Sequence, residues 1–421
     1  MATTVLPPPA ATAARTGPGR DFRYLLSAYS LQTLGEGVLL ATLPLLASRI
    51  TSDPRLVSGV VLAEGLPWLL LALPGGVIVD RFDRRRLMIG TQAVQAVLLL
   101  AVAVLATFDL TRIWMLYLLA FGLSTGDVLF IGANRAVIPT VVPSAALETA
   151  NGRSVTAETL GRQFVGPPLG SALFALLLPL PFWVDALTYL GSLLLISRIR
   201  GTGEGFRPGR TAAPLDARGM LAEATEGLKL LFRNPVLRTI VVLAAASNFC
   251  VTMAQSVLVL FAEQTLHVSR GGYGLLVAAM AVGGVLGALA SSRVVERCGA
   301  RAVAVTVSTA GAASLLVIGL IGRQAAVVAA LFCVWSAGLS LWNVMAQSVS
   351  QRLVPDELRG RVSTGTRMVC FGAIPLGAVA GGLVAASYGL RAPWLVGGAL
   401  NLLIVLAFVP AMRHWPTRGR A

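Results

Sequence analysis

Long runs rich in Leu, Ala, Val and Gly follow one another along the whole chain, separated by short stretches that gather Arg, Asp, Pro and Ser. Within the runs, apolar and polar residues do not alternate, so the period of two that marks a half-buried strand is missing. About 20 apolar residues in a helix cross the roughly 30 Å hydrocarbon core of a bilayer. Only helices and closed barrels satisfy their backbone groups there. The pattern predicts an all-α integral membrane protein with twelve transmembrane helices. They fall near residues 24–48, 57–79, 87–107, 113–134, 155–178, 181–197, 237–262, 272–293, 302–321, 325–346, 364–387 and 392–411. The fifth and sixth spans nearly merge through Pro179-Leu180-Pro181.

Composition agrees with this solvent. Of 421 residues, 56% are hydrophobic and 13% charged, whereas soluble domains average about 25% charged. The net charge of +15 would suggest nucleic acid in a soluble chain, but its placement argues otherwise. With both termini set on one side, that side receives all the Lys and Arg residues except Arg49, Arg55, Arg112, Arg270, Arg323 and Arg391. Arg162 is counted with the basic side. Cytoplasmic loops carry such an excess, so both termini are expected in the cytoplasm and the chain in the cell membrane. The arginines then meet lipid headgroups, and no nucleic acid is called for.

Several chemistries are excluded or disfavoured. Lys229 is the only lysine and does not sit in a Gly-Lys-Ser/Thr setting, so there is no nucleotide-binding P-loop. Cys250, Cys298, Cys333 and Cys370 are scattered, without the spacing of a zinc site or a disulfide framework. No metal site, cofactor or catalytic residue is expected. A membrane-embedded enzyme remains a lesser alternative, because no nucleophile–base pair or ligand cluster is visible.

The chain divides at its longest polar stretch. Residues 1–22 read as a disordered tail without an apolar leader core, 23–198 as a first six-helix half, 199–236 as a linker, 237–412 as a second half and 413–421 as a second tail. In the linker, Leu221, Ala224, Leu228, Leu231 and Phe232 share one helical face, the pattern of an amphipathic helix on the bilayer surface. Short patterns recur in order half a chain apart. Val142-Pro143 with Leu147 matches Val354-Pro355 with Leu358; Pro168-Leu169-Gly170 matches Pro375-Leu376-Gly377; Gly76 pairs with Gly287. A duplicated six-helix unit follows.

The sharpest motif lies between the second and third spans, in the segment running from Gly75 through Asp80-Arg81-Phe82-Asp83 to Arg84-Arg85-Arg86. It resembles the major facilitator loop signature G-x-x-x-D-R-x-G-R-R, with Gly76, Asp80, Arg81, Arg84 and Arg85 in register and Asp83 in place of glycine. Asp83 is expected to hold the turn through its tolerance of left-handed geometry. Gly76 is expected to let two helices approach, and Asp80 to accept from a neighbouring helix N-terminus. Arg81 and Arg85 are expected to pair with loop acids, latching an inner gate. In the fifth span, Gly166, Pro167 and Gly170 resemble part of the antiporter motif of exporters in this superfamily, and physically predict a kinked, closely packed helix. The segment Asn134-Arg135 to Pro143 with Ala150-Asn151-Gly152 is similar to the macrolide-efflux and enterobactin-exporter branch. The resemblance implies two halves rocking about a central site.

Ionisable side chains inside spans are costly and mark functional sites. Glu36 in the first span and Asp127 in the fourth are the leading candidates, with Glu64 in the second and Asp185 in the sixth behind them. A carboxyl taken out of water holds its proton more tightly, which suits proton exchange near neutral pH. Alternatively, Glu36 is a packing carboxyl bonded to Gln32. The second half offers Asn248, Gln255 and Asn343 instead, with Phe249, Trp335 and Trp342 available for stacking. The expected function is proton-coupled export of a small amphipathic compound, such as an antibiotic or siderophore-like metabolite, by a monomer in contact with lipid. A proton-coupled uptake symporter remains the alternative.

Overall fold

A computed structural model describes residues 19–71, 74–199, 225, 228–354 and 358–411. The expected tails, except for residues 19–22, and most of the linker, with the amphipathic positions Leu221 and Ala224, lie outside the described residues. So does Pro355 of the repeat. The described structure is almost wholly helical: α1 (Arg20–Ile50), α2 (Pro54–Leu70), α3 (Pro74–Arg81), α4 (Arg84–Thr107), α5 (Ile113–Val141), α6 (Leu147–Glu158), a π-helical segment (Thr159–Val165), α7 (Gly166–Leu176), α8 (Leu180–Ser197), α9 (Pro235–Gln255), α10 (Leu258–Gln264), α11 (Arg270–Cys298), α12 (Ala300–Ile321), α13 (Ala325–Leu353), α14 (Arg359–Tyr388) and α15 (Ala392–Phe408). Helix α1 starts at Arg20, three residues before the expected start of the first half.

Every predicted span coincides with helix. Among the described residues nine helices are long and apolar enough to cross a membrane, counting α9 and α10 as one. The bent pair α2 and α3, at 64°, makes a tenth. The fifth predicted span is broken by the π-helical segment and the last has only 17 residues. The architecture is consistent with twelve spans.

Local chemistry sets the helix ends. Asp53 caps α2 and Asn234 caps α9, each ahead of a proline at the first helical position, where a missing N–H costs nothing. Arg55 hydrogen-bonds the Asp53 side chain and holds that carboxyl below its usual range. Gly299 takes a φ of 79° in the single-residue turn between α11 and α12, a conformation that favours glycine.

Lipid tails compete with apolar side chains as packing partners, so helix association in membranes depends on close backbone approach at small residues. The chain follows this rule. Side chains added at Gly283 and Gly287 of α11 would strike the backbone of Cys333 and Ala337 on α13. Added at Gly377 of α14, one would strike the carbonyl of Phe249 on α9. Helices α1, α2, α4, α5, α7 and α8 pack together as one group, and α9 with α11 to α15 as another. The groups meet along α2 with α14 and α7 with α11.

These meeting lines locate the opening. The end of the bundle that carries Arg84 to Arg86, Arg198, Arg238 and Arg297 is here termed the basic end. Gly382 of α14 abuts Arg55 and Ser58, Gly65 of α2 abuts Ile374 and Pro375, and Gly274 of α11 abuts Pro167 and Ser171. All of these lie between mid-bundle and the opposite end. One apolar cluster there draws on both groups, including Leu43, Leu46 and Val57 with Val251, Phe261 and Tyr273. At the basic end the clusters are separate. One holds Phe22, Met88 and Phe130 of the first half, and others hold Ile240, Met345 and Val362 of the second. The bundle is closed at the opposite end and open at the basic end.

Candidate transport site

The first half carries a buried polar network. Gln32, one turn before Glu36 on α1, donates to Glu36 Oε1 at 3.0 Å and to Asp127 Oδ1 on α5 at 3.3 Å. Gln95 of α4 donates to the same Asp127 oxygen at 2.8 Å, and Gln92 donates to Gln32 Oε1 at 3.1 Å. Glu36 Oε2 faces the Arg162 guanidinium at 3.6 Å. Glu36, Glu64, Asp127 and Arg162 line one small space of about 50 Å³. The charge of Arg162 acts on Glu36, Glu64 and Asp127, and on Glu158 beyond them. Glu158 in turn accepts from the Tyr29 hydroxyl at 2.9 Å.

Arg162 reaches this position because its backbone is π-helical and lies against α1. A side chain at Gly37 would meet the Gly161 and Arg162 carbonyl oxygens at 2.5 and 2.8 Å. Gly166 packs onto Gly37, and Gly170 onto Val38 and Thr42. The antiporter-like stretch is thus a close seam between α7 and α1. Pro167 stands at the second position of α7 and turns its carbonyl toward Gly274 of the other half. Insertion of a π turn shifts side-chain register and recurs at functional sites; here it presents Arg162 to Glu36.

The structure corrects several expectations. Arg162 is not a basic-end loop residue, because it lies within the fifth predicted span and pairs with Glu36. Asp185 is fully buried between α8 and Gly35 of α1, accepts from Thr188 Oγ1 at 2.9 Å, and does not line the small space. Asp83 has a φ of −57° and caps α4, accepting from the Arg86 N–H at 2.8 Å, so its turn needs no left-handed residue. Gly76 has open space where a side chain would be, so it mediates no close approach. Asp80 is exposed and pairs with Arg84, the first residue of α4, at 3.6 Å. Arg85 caps the end of α8 through the Ser197 and Ile196 carbonyls, at 2.6 and 3.3 Å, and among the described residues pairs with no acid. Arg81 lines a crevice between α4 and α5 with Arg86 and Gly90.

The second half is built differently. A cavity of about 740 Å³ runs from mid-bundle to the basic ends of α13 and α14. Asn248, Asn343, Gln347, Trp335, Trp342 and Phe371 stand in its wall. Asn248 donates to the Cys370 carbonyl at 3.0 Å, and Phe371 stacks at a tilt on Trp68 of the first half. Gln255 lies outside the cavity, near Met280. Phe249 offers its backbone to Gly377 and is not in the wall.

Two helical groups joined along two seams, open at one end, with a polar network on one side and a cavity on the other, fit a membrane transporter. The chain belongs to the Major Facilitator Superfamily, whose profile matches residues 25–371 and 242–421. It is a multi-pass membrane transporter and not an enzyme. It is 29% identical over 397 residues to the multidrug efflux pump Tap of Mycolicibacterium fortuitum, covering 90% of this chain and 93% of that protein. It is 23% identical over 395 residues to macrolide efflux protein A of Streptococcus pyogenes, covering 88% and 93%. The fold is similar to that of a bacterial homologue of the iron transporter ferroportin in an inward-facing state. That TM-score is 0.74 at 16% identity, over 93% of this chain and 98% of that one.

Proposed function

We propose that the chain is a proton-coupled exporter of a small amphipathic compound, and that Glu36, Asp127 and Arg162 form its coupling centre. One observation carries this reading: three carboxyls share a single guanidinium inside a membrane span. A guanidinium balances one carboxylate, so the remaining acids are free to exchange protons without leaving a large net charge in hydrocarbon. Protonation of Glu36 removes the charge that holds Arg162, and with it a contact between α1 and the π-helical segment. Because α7 continues that segment into the seam with α11, the proton's arrival is coupled to the angle between halves. The rocking units are residues 23–198 and 237–412, and the basic end is cytoplasmic, so this structure is the inward-open state. Export is the direction that the relatives' names support. In the outward-open state the basic end closes, and Asp80 and Arg81 gain partners across it.

Inside-out vesicles with a respiration-driven pH gradient, reported by a quenched dye, test the reading. Addition of a transported compound is expected to dissipate part of the gradient in wild type and not in Glu36→Gln or Asp127→Asn. Equal dissipation in all three proteins would remove the coupling centre. Uptake into whole cells driven by an inward proton gradient would replace export with symport.

A further inference from the structure

Arg367 of α14 stands in the wall of the large cavity, beside Thr366, Cys370 and Phe371. It lies inside the apolar stretch Gly365–Tyr388 that crosses the membrane. Among the described residues no hydrogen bond or ion pair reaches its guanidinium, and no Asp or Glu lines the cavity. Arg135 of α5, in the first half, is near enough for its charge to act on Arg367. The carboxyls of the first half are occupied elsewhere: Glu36 by Arg162 and Gln32, Asp127 by Gln32 and Gln95, in the separate small space. The rest of the wall is neutral, with amides from Asn248, Asn343 and Gln347 and rings from Trp335, Trp342 and Phe371.

A cation among low-dielectric walls focuses its field on the enclosed water and raises the local concentration of anions. Arginine is weakly hydrated, and its planar fork matches carboxylate, sulfonate or phosphate oxygens. We propose that the cavity takes amphipathic anions: compounds whose aromatic or alicyclic body lies on Trp335, Trp342 and Phe371 and whose acidic group binds Arg367. This rests on the transporter reading and names its substrate class.

The test uses full-length protein in lipid nanodiscs and three matched probes: 2-naphthylacetate, its uncharged amide, and 2-(2-naphthyl)ethylammonium. Equilibrium binding is measured against empty nanodiscs of the same lipid. Wild type is expected to bind the carboxylate about tenfold tighter than the ammonium, the worth of one charge-assisted hydrogen bond in a wet site. Arg367→Lys retains the preference, Arg367→Gln brings the carboxylate to the level of the amide, and Arg367→Glu reverses the order. Arg135→Gln weakens the carboxylate about threefold, on the same scale. Amide binding that is constant across the variants shows that each is folded. An order that is unchanged in Arg367→Glu overturns the proposal, as does failure of all three probes to bind above background. The vesicle assay separates the two readings. Gradient dissipation by the ammonium alone, beyond that in vesicles without the protein, would keep the transporter and discard the anion site. Carboxylate binding with no gradient response to any compound would keep the site and discard proton coupling.

Discussion

The two halves present opposite interiors. The first half is closely filled and charged, with four ionisable side chains around about 50 Å³. The second encloses about 740 Å³ with aromatic rings, amides and a single arginine. Repetition of the helix pattern preserves the packing rule and leaves the interior free to diverge. The glycine contacts show this at one pair of positions. Gly287 lies hard against Ala337, while a side chain at Gly76, its first-half counterpart by position, would meet open space. We read the difference as a division of labour, with coupling on one side and recognition on the other.

The sharpest break should come at Arg162. Arg162→Met leaves Glu36 in the buried network without its cation. Loss of one partner of a buried pair costs 3–5 kcal/mol. About 3 kcal/mol is expected here, because the Arg162 side chain keeps 34% of its surface exposed. Thermal unfolding in detergent should fall accordingly, and gradient-driven transport should be lost. The double variant Arg162→Met with Glu36→Gln should recover most of the stability and none of the transport. Recovery of both would mean that the pair only holds the fold.

Next in size is the seam behind that arginine. Gly37→Ala puts a methyl group against two carbonyl oxygens of the π-helical segment. Overpacking costs about 1–3 kcal/mol, and the segment must move to relieve it, carrying Arg162 away from Glu36. The variant should resemble Glu36→Gln in coupling while binding probes to the large cavity normally. Loss of probe binding would show that the two interiors are not separable.

A smaller effect, on the other side of the comparison, is expected from Trp335→Ala. Removal of one ring from the cavity wall should raise the half-saturating substrate concentration about tenfold, the worth of one aromatic contact. The proton response at saturation should be unchanged. Asp127→Asn should give the reverse split. If both variants change the same parameter, recognition and coupling share one site.

The sequence made some of this visible and hid the rest for physical reasons. Glu36 and Asp127 stand out because a carboxylate in an apolar run is an exception that hydropathy cannot absorb, and Gln32 follows from its position one turn earlier. Gln92 and Gln95 do not stand out, since neutral amides barely disturb the pattern of the third span. Arg162 and Arg367 were masked by the strength of the charge bias itself: near the basic end, every arginine has a ready explanation in lipid headgroups. The π-helical turn that aims Arg162 has no compositional signature. The open end is equally invisible, because both states of a rocking bundle use the same twelve apolar runs.

The loop motif gives the smallest and most discriminating case. Asp83 stands where the superfamily signature has glycine, and its carboxylate accepts from the Arg86 N–H as an N-cap. Replacement of such a cap by alanine costs about 1 kcal/mol, by glycine only a few tenths. Asp83→Ala should therefore lower the unfolding temperature slightly, and Asp83→Gly should leave it nearly unchanged. Transport separates two roles that stability cannot. If Asp83 is only a cap, Asp83→Gly should transport as wild type. If its charge also engages Arg81 or Arg86 when the basic end closes, Asp83→Gly should slow turnover while leaving probe affinity intact, and Asp83→Asn, which keeps the cap without the charge, should slow it equally. The motif would then belong to the moving gate rather than to the start of α4.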